Sequence, residues 1–309
     1  MLARLLALLA MLTVSVTQIL LSAAAFSAEP ASPKATQRSS AAASVKSKEA
    51  EQALVDRALS LNQQAAEQYN KGQFQQACEL ETQALSLFPD QAVLWENKAN
   101  FLLAMGKSAD ALACFDKSIA LEPGASAFAS KACALANLGR FSESITASTE
   151  AIKLDPQHWK GWNNRAEAYY QQGDLKKAKA DVDKTIEINP QAATALAMRG
   201  SLKMRSKDLD GAQADLDRSL QIDPTVGLIW CSRATVSWRK KDKESALKYV
   251  QKAALLAPNN PVVKQNKTFM ETHSVDDPAG VTTFNGIVLD PEQKASQLKS
   301  GTKPGAESK

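Results

Sequence analysis

Six prolines, Pro89, Pro123, Pro156, Pro190, Pro224 and Pro258, recur at intervals of 34, 33, 34, 34 and 34 residues. A period of this size constrains the fold before any single element is assigned. Each period must be one supersecondary unit that buries its apolar face by stacking on its neighbours. Residues 159–192 show the unit most plainly. Trp162, Ala166 and Tyr169 recur at helical spacing in the first half, and Leu175, Ala178, Val182 and Ile186 in the second. Gly173 stands between the halves, where a left-handed backbone is easiest for glycine. Pro190 closes the second half, because proline lacks an N–H and disfavours helix in the residue before it. The unit is therefore expected to be two short helices joined by a tight turn.

The units run 58–91, 92–124, 125–158, 159–192, 193–226 and 227–260. Position 8 within them is Ala65, Ala99, Ala132, Ala166, Gly200 and Ala234. Position 20 is Ala77, Ala111, Ser144, Ala178, Ala212 and Ala246, and position 27 is Ala84, Ser118, Ala151, Thr185, Ser219 and Ala253. Position 4 is large: Leu61, Trp95, Phe128, Trp162, Leu196 and Trp230. Small residues at 8 and 20 let two helices cross closely. This pattern resembles the tetratricopeptide repeat, over Ala58 to about Asn260. The resemblance implies an all-α fold, a right-handed superhelical solenoid of about six helix-turn-helix repeats. The inter-helix turns carry Gly72, Gly106, Gly139 and Gly173, but Lys207 and Lys241 in the last two units. Those two turns are expected to be looser, since a side chain at positive φ is strained.

The flanks differ in composition. Residues 1–28 have Arg4, a mostly apolar run over Leu5–Leu21, and the small residues Ser22 to Ala25, with no Asp or Glu before Glu29. They read as a cleavable signal peptide, the alternative being an uncleaved N-terminal anchor. The protein is thus expected to be exported: periplasmic or secreted if cleaved, membrane-anchored if not. Residues 29–47, rich in Ala, Ser, Pro and Lys, read as a disordered linker, with helix beginning near Lys48. The solenoid is assigned to 48–273, with a capping helix at 261–272. Lys264, Lys267 and Thr268 fall at positions that are core in the repeats, so this helix is expected to have a wet face. Residues 274–309 read as a disordered tail, with a short ordered patch at Val281–Leu289.

No catalytic constellation is evident. The two histidines, His158 and His273, have no metal-ligand spacing, and there is no phosphate loop or nucleophile elbow. The reading is a non-enzyme with no cofactor and no metal site. Cys78, Cys114, Cys133 and Cys231 lack a CxxC spacing and are expected to be free thiols. A net charge of +4 is too mild to imply nucleic acid. Asn266-Lys267-Thr268 matches a glycan acceptor pattern.

Position 7 is polar throughout: Gln64, Lys98, Lys131, Arg165, Arg199 and Arg233. Position 23 carries Asp181 and Asp215. Either the basic residues form a ligand-binding ladder, or they pair between helices and fix register. Pairing is favoured, because a partly buried guanidinium needs a carboxylate. Arg165 or Arg199 is expected near Asp181, and Arg199 or Arg233 near Asp215.

In the family, the first helix of each pair lines a concave groove through positions 2, 5, 9, 12 and 13. Carried onto this chain, the resemblance assigns partner contacts to Asn62, Tyr69, Asn100, Leu103, Lys160, Asn163, Tyr170, Arg205, Trp238 and Arg239. Aromatics and amides on such a face suit an extended peptide or docked helix. The family's carboxylate clamp for chaperone tails is not matched: Asn97 fits its middle site, but Asn62 and Ala66 fail the first and Ser126 and Ser130 the third. The expected function is a non-catalytic interaction scaffold, a monomer, binding a protein or peptide partner of the envelope or secreted space. Nucleic acid is not expected, and contact with a membrane is expected only through the N-terminal segment. The alternatives are polyanion or nucleic-acid binding through the basic C-terminal repeats, or an accessory subunit of an envelope enzyme complex.

Overall fold

The structure, a computed structural model, describes residues 37–276, with side-chain environments from Lys48 onward. The described residues form thirteen helices and no strand. The helices that begin each repeat are α1 (Gln37–Asn70), α3 (Ala92–Ala104), α5 (Ala125–Asn137), α7 (Trp159–Gln171), α9 (Ala193–Arg205) and α11 (Gly227–Arg239). Their partners are α2 (Phe74–Leu87), α4 (Ser108–Leu121), α6 (Phe141–Leu154), α8 (Leu175–Ile188), α10 (Leu209–Ile222) and α12 (Lys243–Leu256), and α13 (Pro261–Thr272) follows. The fold is an all-α repeat array. It divides into two compact units, one ending at Ala134 and the other beginning at Leu135. The first helix starts at Gln37, so residues 37–47 of the expected linker are helical. The expected signal peptide and the expected ordered patch at Val281–Leu289 lie outside the described residues.

Packing follows the small residues. Those at positions 8, 20 and 27 are all buried. At Gly200 the approach is close: a Cβ would stand 2.9 Å from Leu216 Cγ and 3.2 Å from the Ala212 carbonyl oxygen. Position 4 supplies a latch between repeats. The indole N–H groups of Trp95, Trp162 and Trp230 donate to the carbonyls of Pro89, Pro156 and Pro224 at 2.7, 2.9 and 2.9 Å. Each of these three closing prolines thus follows one helix and offers its oxygen to the next repeat.

The lysine turns keep the left-handed backbone of the glycine ones, and only the Lys207 turn is slightly looser. Lys207 and Lys241 have φ of 67° and 66°, beside 74° to 83° for the glycines. Lys241 N–H closes on the Trp238 carbonyl at 2.9 Å, as Gly173 N–H does on that of Tyr170 at 3.0 Å, and Lys207 N–H reaches the Met204 carbonyl at 3.3 Å. The neighbouring backbone holds the turn and the lysine takes the strain. Lys207→Gly and Lys241→Gly are each expected to stabilise their repeat by about 0.5–1 kcal/mol, read from urea midpoints. A destabilisation in both would show that the lysine side chains matter more than the strain.

In the last three repeats an aspartate caps the second helix. Asp174, Asp208 and Asp242 accept from the backbone N–H of Lys177, Gly211 and Ser245, whereas Gln73, Lys107 and Arg140 provide no side-chain cap. Such a cap contributes about 1 kcal/mol.

From Lys131 onward the position-7 cations form the structural ladder. Arg165 grips Asp181 with two bonds, at 2.7 and 2.9 Å, and Arg199 grips Asp215 at 2.8 and 2.7 Å. The other arm reaches back to position 25 of the preceding repeat. Arg165 donates to Thr149 at 3.2 Å, Arg199 to Asp183 at 3.5 Å and Arg233 to Asp217 at 2.6 Å. Of the two cations expected near Asp215, Arg199 takes it, and Arg233 meets Asp217 instead. In the first unit Lys131 pairs with Asp116, also at position 25. Lys203 adds a second cation to Asp215 at 2.8 Å. Burial would lift the Asp215 carboxyl, but the bonds from Arg199 and Lys203 outweigh it and hold it below the usual carboxylate range.

Helix α13 closes the second unit. Asn260 caps it by accepting from Val262 and Val263, and Pro261 starts it where an N–H is not needed. Val262, Val263 and Met270 are buried while Lys264 and Thr268 are exposed, so the helix does have a wet face. Asn266 is buried and its amide donates to Cys231 Sγ at 3.0 Å. A glycan on that nitrogen is incompatible with the docked helix. All four cysteines are free thiols.

Candidate functional site

In the first unit the expected contact face comes from α1 and α3. Positions 62, 66 and 69 of α1, and 96, 100 and 103 of α3, are one helical turn apart in each helix and share a face. Tyr69 is 39% exposed, and its ring lies 5.3 Å from Phe74 and 5.2 Å from Phe101. The tyrosine is thus a fixed aromatic surface rather than a free arm. Asn100 and Leu103 are half-buried on the neighbouring helix. Glu96 accepts from the Ser126 hydroxyl at 2.6 Å.

Asn62 leads to a feature the sequence analysis missed. Its amide donates to Glu81 Oε1 at 3.3 Å, and Asn97 donates to the same oxygen at 3.1 Å. Glu81 is fully buried. Burial pushes its carboxyl up to about 7, and the bond from Asn97 opposes this only in part. The signal was present at position 24: Phe115, Ser148, Val182, Leu216 and Val250 occupy it in the other repeats, and only the first has a charged residue there.

In the second unit the expected residues divide. Lys160 and Arg205 are exposed, and Asn163 and Tyr170 are half-buried. The Arg205 guanidinium lies over the Tyr170 ring, 6.0 Å from its centre. Gln171 and Asn163 carry buried polar atoms without hydrogen-bond partners. Trp238 is a correction. It is 1% exposed, packed edge-on against Phe269 of α13 at 5.8 Å, and belongs to the core. Met204, at the same position one repeat earlier, is buried as well. Ala197, Ser201, Cys231 and Thr235, at positions 5 and 9 of these repeats, are also buried. Helix α9 packs on α11 there. Small residues at those positions permit that approach and were the readable signal. Arg239 is half-buried and donates to the Met204 carbonyl at 3.1 Å, capping the end of α9.

The basic C-terminal repeats are largely engaged within the chain. Lys240 bonds Asp210 at 2.7 Å and Gln213 at 3.0 Å, and Lys241 bonds Asp276 at 2.9 Å. His273 stacks on Phe269 at 4.1 Å. His158 is half-buried and burial lowers its basicity. No described helix is long and apolar enough to cross a membrane.

Models of the tetratricopeptide repeat match residues 92–124, 130–193, 193–226 and 228–260. The chain belongs to the tetratricopeptide repeat family. Tetratricopeptide repeat proteins generally mediate protein–protein interactions, and their scaffold is typically non-catalytic. Over 81 residues the chain is 33% identical to the TPR repeat-containing thioredoxin TTL4 of Arabidopsis thaliana, covering 26% of this chain and 12% of that protein. Over 75 residues it is 37% identical to the STIP1 homolog of Dictyostelium discoideum, covering 24% and 13%. The match thus spans only about an eighth of the length of these relatives, and the likeness is to their repeats. Among solved structures, the APC/C hetero-tetramer Cut9–Hcn1 aligns with a TM-score of 0.64 at 15% identity, over 71% of this chain and 44% of that one. That likeness concerns the fold alone.

Proposed function

We propose that this tetratricopeptide repeat protein is a non-catalytic scaffold that holds a peptide or helical segment of a partner against the first helices of its repeats. The observation that carries the reading is the unequal burial of those faces. Tyr69, Asn100 and Leu103 in one unit, and Lys160, Asn163, Tyr170 and Arg205 in the other, remain at the surface where the repeats at the C-terminal end have closed. Large rigid aromatics beside amides form the kind of surface that anchors a partner at low entropic cost. The partner is assigned to the envelope or secreted space, on the strength of the N-terminal Arg4, the apolar run to Leu21 and the small residues after it.

The test uses Tyr69 and the half-buried Tyr170, since Trp238 is core. The mature protein and a Tyr69→Ala, Tyr170→Ala variant are crosslinked under mild conditions in the native host. The expected result is one protein enriched by the wild type and depleted about tenfold or more by the variant. Equal recovery by both folded forms would move the binding surface away from these faces. Mass measurement of the isolated protein shows in the same experiment whether residues 1–28 have been removed.

A further inference from the structure

The first unit has a buried acid with an unused oxygen directly behind its contact face. Glu81 Oε1 takes the amide nitrogens of both Asn62 and Asn97, while Oε2, equally buried, has no hydrogen-bond partner. A carboxamide is planar, so an amide whose nitrogen faces Glu81 turns its oxygen away from it. Two acceptor oxygens are thereby oriented by one carboxyl. The shared face of α1 and α3 supplies no cation to meet them: its residues are Asn62, Ala66, Tyr69, Glu96, Asn100 and Leu103. Lys98, also on α3, lies over the Trp95 ring, 5.7 Å from its centre. A buried carboxyl without a cation is where an incoming positive charge gains most.

We propose that the first two repeats bind a lysine- or arginine-bearing segment of the partner, its head group accepted by the oxygens of Asn62 and Asn97 in front of Glu81. The proposal rests on the reading that these helix faces carry the partner. Glu81 is a positioning residue: it fixes both amides and supplies the charge behind them. Tyr69, two helical turns and about 10 Å further along α1, offers its ring to a neighbouring part of the segment. The arrangement is opposite in sense to a site that donates amide N–H groups to a ligand carboxylate. Asn97, although at the middle position of such a clamp, has its nitrogen directed inward.

Protonation of Glu81 gives the site a signature. The buried carboxyl is neutral in the acid range, and a bound cation favours its ionised form. Its side-chain partners come from α1 (Asn62) and α3 (Asn97), and Cys78 on α2, which also feels Lys98 and Lys107, is its titratable neighbour. Binding is therefore expected to release a proton and to tighten between about pH 6 and pH 8.

The experiment titrates the full chain with two acetylated, amidated ten-residue peptides, one alternating alanine with lysine and the other alanine with glutamate. The lysine peptide is expected to bind about tenfold or more tightly than the glutamate peptide, more tightly at pH 8 than at pH 6. Glu81→Gln, which keeps the shape, and Asn97→Ala are each expected to weaken the lysine peptide about tenfold, Glu81→Gln also removing the pH trend. Equal binding of the two peptides overturns the proposal. So does a lysine-peptide affinity indifferent to Glu81→Gln. If that affinity is indifferent to Glu81→Gln but falls in Tyr69→Ala, the contact face stands and the cation site does not. If neither change matters in the first unit, both readings fail there.

Discussion

Glu81→Gln is expected to raise resistance to urea at pH 8 and to have little effect near pH 4. Glu81 is buried with no cation beside it, so its carboxyl is lifted to about 7 from 4.5. Below the lower value both folded and unfolded chains carry the proton, and burial exacts no charge penalty. Between the two values the unfolded chain loses its proton while the folded one keeps it, so stability falls as pH rises. Above about pH 7 the folded form ionises too and the loss is complete. At about 1.4 kcal/mol for each tenfold in proton affinity, the loss reaches about 3 kcal/mol. Glutamine has the same shape, keeps an oxygen for Asn62 and Asn97, and has no charge to bury. Urea midpoints of wild type and variant should therefore diverge from about pH 5 upward. Parallel midpoints across that range would mean that Glu81 finds a cation in solution.

The second large effect concerns the ladder. Arg165→Leu is expected to destabilise the fourth repeat by about 3 kcal/mol, and Arg199→Leu by clearly less. Both remove a bidentate cation from a carboxylate that is 5% exposed. Breaking one side of a buried pair leaves an uncompensated charge, which costs about 3–5 kcal/mol. The two sites differ in what remains. Asp215 keeps Lys203 at 2.8 Å, whereas the side-chain bonds seen at Asp181 all come from Arg165. Arg165→Leu combined with Asp181→Leu should recover most of the loss, since the stranded charge goes with its partner. Thermal unfolding of the three variants decides the matter. Loss of partner capture at unchanged stability would identify the arginines as a ligand surface instead.

The ladder also marks how far the sequence can be read. The 34-residue spacing placed every hairpin, and the repeat positions narrowed the partners of Asp181 and Asp215 to two arginines each, of which Arg165 and Arg199 are the ones that pair. The reach back to Asp183 and Asp217 was not legible, because it depends on how far one repeat rotates over the last. Trp238 failed for a related reason. The family pattern puts position 12 on the contact face, but α13 covers it here, and α13 lies outside the repeat period. Glu81 was overlooked because attention to recurring residues passes over the one position where a repeat departs from the rest. Each failure lies where a local pattern gives way to a contact between non-equivalent neighbours.

The three indole latches have a use beyond holding repeats together. Trp95, Trp162 and Trp230 each touch the proline carbonyl of the preceding repeat, so they sit at the first, third and fifth joints of the array. An indole that loses a carbonyl partner and gains water shifts its emission to longer wavelength. A single-tryptophan version of the chain would therefore glow differently as one chosen joint opens. Three such versions, heated side by side, would show whether the array comes apart from one end, from the middle, or all at once.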